Sequence, residues 1–359
     1  MSQFDSNRSS RNTLKQSATR RLAGTTESKK PARKGLSSDS RVPLNPGTEI
    51  EGYVIHKVIG QGSFSLVYSA KELRLNRDVV IKEYFPKHFS QRMSNNNIIP
   101  LDGKRLFTFR EGFSQFFNEA MALNKIAHPN VLKTHNVFRY NRTAYLVSDN
   151  VGGRDLRWFL TSVSESMNIN LIFKVFMPIL SALNFLHEAQ LLHLDIKPAN
   201  ILLQPNGEAL LLDFGAAQTI TSDKRINRMQ TLTHGFAPPE QYDRKQKLGP
   251  WTDIYAVAAT LYYGIACKPP VKSKDNKLQT KLNYSLYKHL YSENLIDAVN
   301  RALSYDLESR YDNVDSFAEH LLAGSKWKTL REYELDAMQQ DRFAEDTRQA
   351  QNELAAAVA

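Results

Sequence analysis

Hydrophobic and polar positions alternate over short stretches in the first half of the chain and recur at helical spacing in the second half. The alternation predicts β-strands, and apolar positions three to four residues apart predict helices packed on a core. The predicted strands are 53–60, 66–70, 78–82 and 144–147, and the predicted helices are 113–126, 171–187, 253–266, 295–303 and 316–322. A strand-rich unit followed by a helix-rich one indicates an α+β fold with two lobes, at about 47–150 and 151–325.

The first 46 residues lack this pattern. They hold ten Lys or Arg against three Asp or Glu, so they carry +7 of the net charge of +10, and they also hold thirteen Ser or Thr. Such a segment buries too little apolar surface to repay the entropy of ordering, and we expect residues 1–46 to be a disordered basic tail. A solvated tail, a docking arm for an acidic partner, nucleic acid or membrane, and a stretch of phosphoacceptors all remain open.

The last segment, residues 326–359, is rich in helix-forming residues and has a partial apolar face. We expect a helical extension, and three roles stay open for it. It packs on the larger lobe, pairs with a helix of a partner, or leads into a further segment.

The cysteine content and the distribution of apolar residues indicate the compartment in which the protein works. The single cysteine, Cys267, excludes an internal disulfide and suits a reducing compartment. No stretch approaches eighteen consecutive apolar residues, and the first residues lack the apolar core of a secretory signal. We therefore expect no transmembrane segment and a cytoplasmic protein, with an exported effector as the alternative.

The strongest chemical signal is His193-Leu-Asp-Ile-Lys-Pro-Ala-Asn200, followed by Asp-Phe-Gly at residues 213–215. A carboxylate at Asp195 can orient a hydroxyl nucleophile and accept its proton, and Lys197 can neutralise a phosphoryl group. The oxygens of Asn200 and Asp213 are hard ligands that suit Mg²⁺. Phosphoryl transfer needs these parts, because its transition state is stabilised by placement and charge.

Two weaker signals precede this one. The segment Gly60-Gln-Gly-Ser-Phe-Ser-Leu-Val67 lies between two predicted strands, and glycines let backbone amides approach phosphate oxygens closely. Lys82 ends a strand that should be buried, where a lysine is costly unless it is paired. Glu119, on the predicted helix 113–126, is its natural partner.

At these residues the chain resembles the eukaryotic-type protein kinase family, and in particular its bacterial Ser/Thr members. The segments Ile81-Lys-Glu-Tyr-Phe-Pro86 and Gly235-Phe-Ala-Pro-Pro-Glu-Gln-Tyr242 carry the likeness further, and the resemblance covers about residues 50–323. It implies the bilobal kinase fold, with a kinase domain at 47–325, and transfer of the γ-phosphoryl group of ATP to Ser or Thr of protein substrates, including the chain itself. It also implies Mg²⁺ as the metal, with Mn²⁺ as a substitute.

The resemblance assigns roles residue by residue. Asp195 would be the catalytic base, and Lys197 would contact the γ-phosphate. Asn200 and Asp213 would hold the metal. The ATP-binding residues would be Gly60, Gly62, Val67, Val80, Lys82, Glu119, Ser148 and Leu202, with Lys82 and Glu119 as an ion pair.

Further assignments concern the acceptor and the support of the site. Lys197 and Thr233 match the Ser/Thr-specific members of the family. Glu240 should pair with Arg310, and Asp253 should brace the catalytic loop.

Four features depart from the family pattern. Ser65 replaces the third glycine of the loop, and Leu194 stands where an arginine often reads a phosphate on the activation segment. Residues 87–110 are an apparent insertion in the small lobe, which braces the Glu119 helix, binds a partner or is a plain loop. Ser148 is a small residue at the usually bulky gatekeeper position, which predicts an open pocket behind the adenine.

Three rival functions compete with that of a protein kinase. A small-molecule phosphotransferase would share the catalytic and metal-binding aspartates but not Thr233, the Pro-Pro-Glu segment and Arg310 together. The sequence does not favour a catalytically silent pseudokinase or scaffold, since every catalytic residue is present. Specific nucleic-acid binding by the tail is disfavoured, because no aromatic residue beyond Phe4 is interleaved with the basic ones.

Overall fold

The computed structural model describes residues 41–162, 165–213, 218–219, 232–243, 245–271 and 280–336. The predicted tail up to position 40, and the predicted C-terminal extension after position 336, lie outside these residues. Each strand and helix named from the hydrophobic pattern is present, and the two-lobed α+β fold is confirmed.

The small lobe is an antiparallel sheet of six strands with one long helix beside it. Strand order across the sheet is β1-β2-β3-β4-β8-β7. Val79 and Ile81 of β4 are fully buried on one face, as the alternation predicts, so Val80 and Lys82 point to the opposite face. The elements are β1 (Glu49–Ile50), β2 (Tyr53–Gln61), β3 (Ser65–Glu72), β4 (Arg77–Tyr84), β5 (Ser90–Arg92), β6 (Ile98–Pro100), α1 (Leu106–Leu123), β7 (Thr134–Tyr140) and β8 (Thr143–Asp149).

The apparent insertion at 87–110 forms a short hairpin and the start of the helix. Strands β5 and β6 pair antiparallel, with Ser90 opposite Pro100. The side chain of Asp102 then caps a 3₁₀ turn by accepting from the Arg105 amide, and α1 continues from Leu106. The predicted start of this helix at 113 was therefore too late. Phe109 lies one turn earlier and is buried against Tyr84, with ring centroids 5.4 Å apart.

The large lobe is mostly helical around a continuous apolar core. Its elements are β9 (Arg154–Asp155), α2 (Leu156–Ser162), α3 (Ile169–Glu188), β10 (Leu191–Leu192), β11 (Ile201–Leu203), β12 (Ala209–Leu211), β13 (Gln218–Thr219), α4 (Pro239–Tyr242), α5 (Pro250–Ala266), α6 (Tyr284–Tyr287), α7 (Glu293–Ala302) and α8 (Val314–Leu322). By length and composition α3 is the one described helix that would pass for a membrane span. It is 67% buried inside the lobe, as is typical of a core helix.

The beginning of the C-terminal extension packs on the large lobe. Leu330 is buried, and the Trp327 ring lies 5.0 Å from the ring of Phe173 on α3. The hydroxyl of Tyr333 donates to Asn130 Oδ1 at 3.4 Å. Of the three roles left open for this segment, residues 326–336 take the first.

Candidate active site

A buried carboxylate holds the loop that carries Asp195. Asp253, in the first turn of α5, is fully buried, as expected for a residue that braces this loop. Its Oδ2 accepts from the His193 amide at 2.8 Å, and its Oδ1 accepts from the Leu194 amide at 2.7 Å. His187 Nε2 also bonds to Oδ2, at 2.9 Å. The loop is therefore tied to a core helix through its own backbone.

Leu194 adopts a backbone conformation that its side chain disfavours. Its φ of 65° is in the left-handed region, which costs a residue other than glycine about 1–2 kcal/mol. Asp253 holds its amide, and Gln241 Nε2 donates to its carbonyl at 2.8 Å. The side chain is buried beside Leu192, with Leu248 packed against both. In this chain the position that often carries an arginine thus contributes apolar packing.

Asp195 is surrounded by the polar residues predicted to act with it. Lys197 Nζ donates to Asp195 Oδ2 at 2.6 Å and to Thr233 Oγ1 at 3.0 Å. The Thr233 hydroxyl donates to Asp195 Oδ1 at 3.1 Å, and Asn200 Nδ2 donates to Oδ2 at 3.1 Å. A carboxylate fixed in this way keeps its orientation for a hydroxyl nucleophile, and a cation lies beside it for a phosphoryl group.

The predicted ion pair of Lys82 with Glu119 is not formed in this structure. Lys82 Nζ pairs with Asp213 Oδ1 instead, so the cation joins the two lobes. Glu119 accepts from Gln115 Nε2 at 2.8 Å, four residues earlier on α1, and among the described residues no ion pair joins it to Lys82. In this structure the anion that Lys82 contacts is therefore Asp213, and the pairing of Lys82 with Glu119 stays a prediction.

One cavity between the lobes is lined by six of the twelve predicted site residues. Its lining includes these predicted residues: Gly62, Lys82, Glu119, Asp195, Lys197 and Asp213. Ser63, Phe64, Tyr84 and Phe116 of the small lobe and Thr233 and Gln241 of the large lobe contribute further walls. The lining therefore combines the glycine-rich loop, the two aspartates and the residues beside the acceptor position.

The other predicted residues lie outside this lining. Val80 and Ser148 are directly opposite each other in the β4–β8 ladder, and Ser148 is buried. Gly60 is opposite Val67 in the β2–β3 ladder, and Val67 is opposite Lys82 in the β3–β4 ladder. Leu202 lies on β11 of the large lobe. Four of these residues thus share one small-lobe sheet, as an adenine-binding surface requires, but the cavity does not extend to them.

The residues available for a metal fit Mg²⁺ bound together with phosphates. The described residues contain no group of three or more His, Cys, Asp or Glu that would hold a metal by themselves. Asn200 uses Nδ2 to bond Asp195, which leaves Oδ1 as a ligand oxygen, and Asp213 lines the cavity as the second oxygen donor. Mg²⁺ is typically held by one or two protein oxygens, phosphate oxygens and water.

The acceptor side of the site is held by a buried ion pair. Arg310 Nη1 donates to Glu240 Oε1 at 2.8 Å, and both side chains are fully buried, so the pair predicted from the sequence is formed. Gly235, at the start of this segment, has a φ of +89°, and a Cβ there would lie 2.7 Å from the Pro270 carbonyl oxygen. Glycine is therefore required at this position.

Two residues at the site had no role assigned from the sequence. Gln241 holds the Leu194 carbonyl, and its position directly after Pro-Pro-Glu is the only signal that marks it. Arg41 was counted in the tail, yet its guanidinium donates to the Gly62 carbonyl of the glycine-rich loop at 2.8 Å. No sequence pattern separates Arg41 from the nine basic residues before it.

Comparison with known proteins adds independent evidence. The family model described as "Protein kinase domain" matches residues 53–324. Serine/threonine-protein kinase D of Synechocystis sp. is 25% identical over 283 residues, which are 76% of this chain and 52% of that protein. Human serine/threonine-protein kinase D3 is 26% identical over 291 residues, or 77% of this chain and 30% of that protein. The chain thus spans about half, or less, of the length of these relatives.

A solved structure is similar over a larger share of its own length. The structure titled "PpkA-294 apo form" is 32% identical and aligns with a TM-score of 0.68. The alignment covers 78% of this chain and 99% of that one.

Proposed function

Because this chain belongs to the protein kinase family, we propose that it transfers the γ-phosphoryl group of ATP to Ser and Thr hydroxyls of proteins, itself included. The observation that carries this proposal is the setting of Asp195. Lys197, Thr233 and Asn200 all contact its carboxylate at hydrogen-bonding distance.

Each of these residues has a defined task in the proposed reaction. Asp195 orients the acceptor hydroxyl and takes its proton as the oxygen attacks phosphorus. Lys197 stabilises the negative charge of the transferring group. Thr233 bridges both side chains on the acceptor side, which supports Ser or Thr as the acceptor.

The nucleotide and its metal occupy the predicted set of residues. Asn200 and Asp213 would hold Mg²⁺, for which Mn²⁺ would substitute, and the metal would supply positive charge that neutralises the phosphates. Lys82 exchanges its direct ion pair with Asp213 for a nucleotide phosphate, and Glu119 then becomes available as its partner. Gly60, Gly62, Val67, Val80, Ser148 and Leu202 complete the site for ATP.

The pocket behind the adenine follows from Ser148. Its side chain is small and is paired with Val80 in the β4–β8 ladder, which supports an opening there for bulky aromatic groups of ATP-competitive inhibitors once the nucleotide site is occupied. Ser148→Met should weaken such inhibitors about tenfold or more while ATP still binds. Equal inhibitor binding by the wild type and the variant would contradict the open pocket.

The remaining parts of the chain are assigned as follows. The sequence placed the tail at residues 1–46 and the kinase domain at 47–325, but Arg41 and Leu44 are buried in the small lobe. The tail that an acidic partner binds therefore ends at about residue 40, residues 41–325 form the kinase domain, and residues 326–359 are an extension of it. The enzyme acts in the cytoplasm on protein substrates. Recovery in a secreted fraction would favour the exported effector instead.

The direct test is transfer of label from γ-labelled ATP with Mg²⁺ to the chain itself and to a generic protein acceptor. Asp195→Asn and Lys82→Met should lower the rate by about 10²–10⁴-fold. The exposed residues Asp78 and Lys57 on β4 and β2 provide matched controls, and Asp78→Asn and Lys57→Met should retain activity. Phosphoamino-acid analysis should find label on Ser and Thr.

Two outcomes would overturn the proposal. Label that persists in both site variants would place the chemistry elsewhere. A folded wild type that binds ATP but labels no acceptor would favour the scaffold alternative.

A further inference from the structure

The glycine-rich loop between β2 and β3 has a closed backbone conformation. The Gly62 amide donates to the Ser65 carbonyl at 2.9 Å, which forms a turn over Ser63 and Phe64. The segment that follows β4 ties this turn down from one side. The Phe85 amide donates to the Phe64 carbonyl at 2.8 Å, and the Lys87 amide donates to the Ser63 carbonyl at 2.9 Å.

Arg41 donates hydrogen bonds to two carbonyls of the same loop and to one carbonyl of the segment after β4. Its Nη2 donates to the Gly62 carbonyl at 2.8 Å, and its Nη1 donates to the carbonyls of Phe85 at 2.6 Å and Ser65 at 3.3 Å. The guanidinium carbon also lies 5.8 Å from the centroid of the Phe85 ring. One planar group with several fixed donors therefore joins both ends of the loop to the segment behind it.

Arg41 belongs to a short segment that is itself anchored, residues 41–44, which we call the strap. Arg41 is only 7% exposed and Leu44 only 2%. The Leu44 amide donates to the Tyr68 hydroxyl at 3.2 Å, and Arg92 Nε donates to the Val42 carbonyl at 2.8 Å. The position of the guanidinium is therefore set by the core of the small lobe.

These hydrogen bonds occupy the carbonyls of the loop and leave two of its backbone amides without an acceptor among the described residues. All four carbonyls from Gly62 to Ser65 accept hydrogen bonds, whereas the amides of Ser63 and Phe64 donate to none of the described residues. Both residues line the cavity that also contains Lys82 and Asp213. Successive free backbone amides beside a cation form an anion-binding concavity.

We propose that Arg41 is a positioning residue for the nucleotide phosphates, which acts by holding the carbonyls of residues 62–65 so that the Ser63 and Phe64 amides face the cavity. This assignment rests on the proposed function, since it requires that ATP binds at this loop. Arg41 itself touches no phosphate, and its effect passes entirely through the loop backbone.

The test compares two ligands that differ only in their phosphates. Full-length Arg41→Met should bind ATP with Mg²⁺ about tenfold more weakly, because the loop loses hydrogen bonds from a charged donor. Adenosine has no phosphate, so its affinity should change less than twofold. Arg41→Lys keeps the charge but not the fork of donors, and it should fall between the wild type and Arg41→Met.

Two controls separate positioning from general damage. Arg74→Met removes an exposed arginine between β3 and β4, and it should bind both ligands as the wild type does. Ile50→Ala opens a cavity in the same core, far along the sheet edge on β1, and it should lower stability without changing the ratio of the two affinities.

Each outcome decides the assignment. A selective loss of ATP affinity in Arg41→Met supports it, and equal weakening of ATP and adenosine, or no change in either, overturns it. Should Arg41→Met fail to fold, the same ratio in Arg41→Lys decides. A wild-type chain that binds no ATP would instead overturn the proposed function, and this assignment with it.

Discussion

Two buried arginine–glutamate pairs, one in each lobe, support opposite sides of the cleft. Glu83 follows Lys82 on β4 and its side chain is buried, and Arg92 at the end of β5 pairs with it, with Nη2 and Oε2 2.6 Å apart. Arg310 and Glu240 lie behind the segment that carries Thr233, with Nη1 and Oε1 2.8 Å apart. All four side chains are at most 2% exposed, so both pairs have lost nearly all their hydration. The environments of the two pairs differ sharply.

The small-lobe pair is fully satisfied at its carboxylate. Glu83 Oε2 accepts from Arg92 and from the Tyr68 hydroxyl at 2.7 Å, and Oε1 accepts from the Tyr145 hydroxyl at 2.6 Å. Burial and the neighbouring Glu83 charge raise the pKa values of both tyrosines, so their hydroxyls remain protonated donors. Arg92 therefore neutralises the buried charge, and three donors from three separate strands orient it.

The large-lobe pair has fewer partners. Glu240 Oε1 accepts from Arg310 and from the Thr252 hydroxyl at 3.1 Å. Within the described part of the chain, Glu240 Oε2 and Arg310 Nη2 are buried without a hydrogen-bond partner. The Arg310 guanidinium also stacks on the Tyr255 ring, with its carbon 4.8 Å from the centroid. This pair thus depends on one direct contact between residues seventy positions apart.

Because of these surroundings, we expect the two pairs to respond differently to the loss of one partner. A buried charge is stabilised by the total of its hydrogen bonds, and loss of one partner costs most where few others remain. We therefore expect the acceptor side of the cleft to be the more fragile one.

The largest effect should come from Arg310→Met, which leaves the Glu240 carboxylate with Thr252 alone. We expect the free energy of unfolding to fall by about 3–5 kcal/mol, measured by urea titration. Arg310→Met combined with Glu240→Met should recover much of this loss, because no buried charge remains. As a control, Arg301→Met removes an exposed arginine that stacks on Tyr311 and should cost far less. A cost below about 1 kcal/mol for Arg310→Met would remove the basis of the comparison.

A smaller effect is expected from Arg92→Met, because Tyr68 and Tyr145 still donate to Glu83. The free energy of unfolding should fall by about 2–3 kcal/mol in the same titration. Adding Glu83→Leu should help less than the matching double change in the large lobe, since it leaves two buried hydroxyls without their acceptor. If Arg92→Met proves more costly than Arg310→Met, the order that we infer from the hydrogen bonds is wrong.

The two pairs also differ in how far the sequence predicts them. Glu240 and Arg310 belong to recognisable segments, so the family resemblance, which the comparisons confirm, was enough to pair them. Glu83 is a charged residue on the inward face of β4, where alternation predicts an apolar one, and Arg92 lies in a stretch without a hydrophobic pattern. Their pairing depends on the β5–β6 hairpin, which no local signal indicates.

Tertiary packing without a local sequence signal also explains the other differences between the predicted site and the observed one. Asp195, Lys197, Asn200 and Thr233 are close in sequence or carried by motifs, and the structure brings them together. The partner of Lys82 depends instead on how α1 and the large lobe approach β4, which is a property of tertiary packing. Arg41 is one of many basic residues, and only its burial against the loop distinguishes it.

A third buried carboxylate, that of Asp253, differs from both pairs, because backbone amides and a histidine bind it instead of a guanidinium. Burial alone would raise its pKa, but the hydrogen bond and charge of His187, with His193 and the Leu194 amide, lower the pKa below its usual value. A carboxylate with a lowered folded-state pKa contributes stability above its unfolded pKa of about 3.9, and this contribution is lost as the pH falls towards the folded value.

We expect Asp253→Asn to lower the free energy of unfolding at pH 7 by about 1–2 kcal/mol, the smallest of the three effects, because asparagine keeps one acceptor oxygen for the loop amides. The difference from the wild type should stay constant above about pH 5 and narrow below about pH 4, since protonation then removes the advantage of the carboxylate. Urea titrations from pH 7 to pH 3 measure this, with the exposed Asp306→Asn as the matched control. A difference that widens on acidification would mean that Asp253 binds its proton more readily in the folded state, contrary to the bonds that hold the catalytic loop.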